Sequence, residues 1–114
     1  WTRLAPDPAA EDGGLAPHPI EVHWQVADDE RFERVVRSGT ALALPERAHS
    51  VHVEADGLQP GRWYWYRFMA GRGTGAAASP TGLTRTAPQA GVMPARMRVC
   101  AASCQHYERG FFAA

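Results

Sequence analysis

The chain has 114 residues, room for one domain, and its 45% apolar and 21% charged content is that of an ordinary globular core. Every basic residue is Arg and the formal net charge is zero, so no broad cationic field exists to hold nucleic acid or an acidic membrane surface. No apolar run is long enough to span a bilayer, and the opening "WTRLAPDP" has neither the basic nor the apolar region of an export signal, which is expected to be removed or to lie outside this chain.

The first strand lies in "WTRLAPDP", and the Pro/Gly/Ala-rich "DPAAEDGGLAPHP" after it has no periodicity and reads as a loop. "IEVHWQVA" alternates cleanly, with Ile20, Val22, Trp24 and Val26 on one face and Glu21, His23 and Gln25 on the other, as a half-buried strand requires. "DDERFERVVRSG" begins with helical spacing but turns β-branched, which predicts a short helical turn over residues 29–32, capped by Asp28 or Asp29, followed by a strand. In "SVHVEA" the alternation returns, with Val51, Val53 and Ala55 inward and His52 and Glu54 outward, and "DGLQPG" supplies turn chemistry. "RWYWYRFMA" places Tyr64, Tyr66 and Phe68 on one face and Trp63, Trp65 and Arg67 on the other, and "GLTRTAP" reads as a last short strand.

Many short strands punctuated by Pro and Gly, with little helix, predict an all-β antiparallel β-sandwich. The spacing from Leu58 through Pro60 and Gly61 to Tyr64 resembles the tyrosine corner of immunoglobulin-like and fibronectin type III-like sandwiches, in which the Tyr hydroxyl bonds to backbone a few residues upstream. Tyr64 and Trp24 are therefore the structural residues of this reading.

Beyond this, "APQAGVMPA" interrupts the pattern as a linker. "RMRVCAASC" is an apolar run without clean alternation, as a strand buried on both faces would be. If it is a strand, Cys100 and Cys104 stand ~13 Å apart on one face, too far for a disulfide. Cys100 then reads as a buried free thiol behaving as a small hydrophobe. Cys104 falls at a strand end, where α/β folds place ligands. The five histidines, His18, His23, His49, His52 and His106, show no shared metal spacing and read as solvated surface side chains, and Asp28 with Asp29 reads as a turn pair rather than an acid/base dyad.

Taken in order, "WTRLAPDP", "VHWQVADDERFERVVRSG", "AHSVHVEADGLQPGRWYWYRF", "GLTRTAP" and "ASCQHYERGFF" resemble the N-terminal portion of PhoD-like alkaline phosphatases, a secreted metallophosphoesterase family with phosphodiesterase members. The resemblance implies residues 1–87 as an N-terminal β-sandwich, 88–95 as linker, and 96–114 as the first strand of an α/β catalytic domain that continues beyond the chain. It implies Tat-type export to the cell envelope or medium, phosphate ester substrates, and iron and calcium in the intact enzyme, with Cys104 as an iron ligand. The 114 residues themselves lack the carboxylate, His and Asn set that a multi-metal phosphoesterase needs, so no cofactor and no hydrolysis are expected of this stretch alone. Its expected partner is its own C-terminal catalytic domain. The competing reading is an independent binding module that uses Trp63, Trp65 and Arg67 as its contact stripe.

Overall fold

The computed structural model describes residues 1–71, 76–96 and 98–101. Among the described residues, seven strands follow one another as β1 (Thr2–Arg3), β2 (Ile20–Ala27), β3 (Val35–Ala43), β4 (Ser50–Val51), β5 (Trp63–Ala70), β6 (Ala77–Ala78) and β7 (Gly82–Arg85). All the pairings are antiparallel. The larger sheet runs β3-β2-β5-β6, with β7 sharing the β6 edge of β5, and a two-residue β1-β4 ladder forms a second sheet.

The alternation in β2 and β5 sets the two faces. Val22 and Phe68 point inward and are buried, joined by Ala43 from β3 and Val51 from β4, and Leu4, Val53, Trp24 and Tyr66 pack around them. Burying a side chain such as Phe68 is worth about 1.5 to 3 kcal/mol, so these few positions anchor the layers. Two glycines make room for the aromatics. A Cβ on Gly39 would stand 2.8 Å from the Trp24 indole, and one on Gly82 would stand 2.2 Å from the Tyr66 ring. Gly39 pairs with Trp24 and Gly82 with Tyr66, so each ring lies across a glycine of the neighbouring strand.

Residues 29–32 make a single turn, closed by the Phe32 amide donating to the Asp29 carbonyl at 3.2 Å. The Asp29 carboxylate accepts from the amides of Arg31, Glu33 and Arg34. Phe32 has φ 59°, which stops any helix there, and β3 starts three residues later. "SVHVEA" keeps its alternation of exposed and half-buried side chains through Ala55, but only Ser50 and Val51 are laddered. Its partner β1 is two residues long, and extended chain without a neighbour is not sheet. Pro45–Arg47 form a 3₁₀ turn ended by two left-handed residues, Ala48 and His49. That turn overturns the surface reading of His49. The residue is 3% exposed, its Nδ1 lies 3.3 Å from the Ala43 carbonyl, and its own carbonyl accepts the Leu4 amide. Left-handed backbone turns the ring under the sheet instead of out to water.

Residues 87–96 are exposed and irregular. Cys100 is exposed rather than buried, and Val99 beside it is 78% exposed, because no described strand pairs with residues 98–101 to cover them. Cys104, His106, Phe111 and Phe112 lie outside the described residues.

Candidate functional site

The outward face of β5 is where an exposed tryptophan and a partly buried one meet arginines. Trp63, Trp65 and Arg67 alternate with the buried Tyr64 and Phe68, so they share the face turned from the core. Trp63 lies opposite Arg85 and Trp65 opposite Leu83 on β7, while Arg67 lies opposite Gln25 on β2. Trp63 is 50% and Leu83 54% exposed.

The three members of the predicted stripe are not equivalent. Arg67 donates from Nε and an Nη to the Gln25 side-chain carbonyl at 2.9 and 2.7 Å, and its guanidinium stacks 4.1 Å from the centroid of the Phe32 ring. Phe32, carried in by the Asp29 turn, is itself buried on this face. Arg67 is therefore engaged within the domain, through charge-assisted hydrogen bonds and a cation–π contact. Trp63 has the looser approach of Arg85, at 5.7 Å, and Arg85 also donates to the Gly61 carbonyl. The sequence reading did not assign Leu83, Arg85 and Phe32 to this face, and it turned Gln25 outward on its strand without pairing it to Arg67. The period-2 pattern of "GLTRTAP" could have supplied the first two; the others depend on strand register and on a loop folding back.

Just below this face lies the corner. The Tyr64 hydroxyl, on a residue 3% exposed, accepts the Gln59 amide at 3.0 Å. The Thr86 hydroxyl donates to the Gln59 carbonyl at 2.7 Å and accepts the Arg62 amide, and the Ala87 carbonyl accepts the Gly61 amide. Arg62 reaches onward to the Gln59 side chain and to Asp28, and Arg34 pairs with the same Asp28 carboxylate. The chain therefore leaves the last strand fixed at the corner, beside Trp63.

Two clefts open between the layers. One, of about 290 Å³, is lined by Trp1, Trp24, Val53, Leu58, Tyr66 and Phe68 among others. The other, of about 470 Å³, runs between β1 and the β5-β6 edge past Leu4, Leu15, Ile20 and Ala70. Both are mostly apolar gaps left by a second sheet too short to cover the first. Among the described residues no group of three or more His, Cys, Asp or Glu could hold a metal ion, so this part of the chain does not fit an iron or calcium centre. His23 sits 3.2 Å from Glu21, and His52 lies near the Trp1 ring. Among the described residues, Asp29 has a perturbed titration, held below the usual carboxylate range chiefly by the Arg34 amide, against a smaller opposing desolvation, with further help from the Glu33 and Arg31 amides. The Asp29 carboxylate thereby fixes the turn that leads into β3. No helix among the described residues is long and apolar enough to cross a membrane.

Comparison with known proteins places this geometry. Alkaline phosphatase D of Bacillus subtilis (strain 168) is 50% identical over 114 residues, which is all of this chain and 19% of that protein. A solved structure described as the structure of PhoD superposes with a TM-score of 0.74 at 51% identity, over 81% of this chain and 17% of the other. The chain thus spans about a fifth of the length of these relatives. The family model of the PhoD-like phosphatase N-terminal domain matches residues 1–88, and the chain belongs to that family.

Proposed function

We propose that this chain is the accessory N-terminal domain of a secreted, metal-dependent phosphomonoester or phosphodiester hydrolase, and that it has no hydrolytic activity by itself. Residues 1–87 form a fibronectin type III-like sandwich, 88–95 a linker, and 96–114 the opening of the catalytic domain, whose chemistry lies in sequence beyond this chain. The observation that carries the reading is the N-terminal-domain match ending at residue 88, where the corner releases the chain into exposed, irregular structure. The bond from Gln59 to Tyr64 supports the fibronectin-like assignment. Iron and calcium belong to the intact enzyme in this reading, with Cys104 as one iron ligand. No step of the hydrolysis is carried by the described residues.

A free-standing binding module built on Trp63, Trp65 and Arg67 is the competing reading. The exposure of Trp63 favours it, but the engagement of Arg67 with Gln25 and Phe32 removes the cation from the stripe. Deleting residues 96–114 tests the domain division. Residues 1–95 should keep the melting transition of the longer chain; loss of most of the stability would make the tail an integral strand and the division wrong.

A further inference from the structure

The outward face is covered on one side and bare on the other. Toward β2 it is closed by Phe32 under the Arg67 guanidinium and by polar Gln25. Toward β7, Trp63 and Leu83 stay half exposed around the partly buried Trp65, and together leave on the order of 200 Å² of mostly apolar surface, rimmed by Arg85. A tryptophan anchor with an arginine rim is the composition of a contact surface.

The position of the patch names its occupant. Thr86 and Ala87 are tied to Gln59, Arg62 and Gly61 at the start of β5, so the polypeptide leaves the last strand within a residue or two of the Arg85–Trp63 pair. In the relative that matches the whole chain, four-fifths of the protein is other sequence. We propose that the Trp63–Trp65–Leu83 patch seats the domain that follows residue 88 in the same polypeptide, packing it against the β5-β7 half of the outward face. This rests on the reading of the chain as the N-terminal domain of a longer hydrolase. Leu42, which is 58% exposed on the far edge strand β3, lies outside the interface and serves as its internal control.

The test uses the full-length parent protein. Under hydroxyl-radical footprinting, Leu83 should oxidise about tenfold more slowly than Leu42, although the two are equally open here, and Trp63 should be protected in parallel. Leu83→Glu should raise tryptic cleavage at Arg96, the residue that follows the proposed linker, by about tenfold, while Leu42→Glu leaves it unchanged. Equal oxidation of Leu83 and Leu42, or equal cleavage of the two variants, overturns the placement. Protection that grows with protein concentration alongside a doubled sedimentation mass assigns the patch to a second copy and overturns it as well. A parent with no hydrolase domain after these residues overturns the underlying reading instead, and sequencing the parent gene distinguishes the two failures.

Discussion

Replacing Tyr64 by Phe removes one oxygen and almost nothing else. The ring is 3% exposed and keeps its packing, so no cavity forms; what is lost is the acceptor of the Gln59 amide at 3.0 Å. An unsatisfied, partly enclosed donor costs about 1 to 3 kcal/mol. Gln59 itself is exposed, so water can recover part of that, and about 1 to 2 kcal/mol is the expected loss. In a domain of this size, 1 kcal/mol moves the midpoint by roughly 4 to 8 °C, so Tyr64→Phe should melt clearly lower, with an unchanged denaturant slope. Thr86→Val should cost a similar amount, because it frees the Gln59 carbonyl and the Arg62 amide. Thermal and urea unfolding followed by tryptophan fluorescence measure both. A Tyr64→Phe midpoint within experimental error of the parent would refute the claim that this hydroxyl holds the corner.

Gly82→Ala should destabilise by about 1 to 3 kcal/mol, since the added carbon lands on the Tyr66 ring and the ring must leave its rotamer; a urea titration with no midpoint shift would contradict that packing. Asp29 titrates below its ordinary value of 3.8 because amides hold the carboxylate, so its contribution is complete above that value and is lost as pH falls through the depressed folded value. Asp29→Asn should therefore flatten the loss of stability on acidification below about pH 4, and an acid-unfolding curve unaltered by the substitution would show that the turn does not depend on the charge.

The sequence showed the parts of the fold that repeat with period two. Val22, Trp24 and Val26, and then Tyr64, Tyr66 and Phe68, could be assigned to one face because a half-buried strand leaves no other arrangement. β6 could not be read, since Ala77 and Ala78 have no pattern and join Met69 and Ala70 through backbone alone, with the Ser79 hydroxyl accepting the Phe68 amide. The burial of His49 was hidden because it follows from left-handed backbone at two residues that are not glycine. At the candidate site, the exposure of Trp63 was legible from its place opposite the aromatic core residues. The engagement of Arg67 was not, because it needs Gln25 in register from 42 residues away and Phe32 folded in by the Asp29 turn.

In the proposed function these residues support a hydrolase whose chemistry lies elsewhere in the polypeptide. The most direct measurement compares hydrolysis of p-nitrophenyl phosphate and bis(p-nitrophenyl) phosphate at alkaline pH by the purified chain and by the full-length parent, each with added iron and calcium. Turnover by the parent, abolished by chelation, and none by the chain is the expected result. Metal-dependent turnover by the chain that survives repurification, or an inert parent, would contradict it.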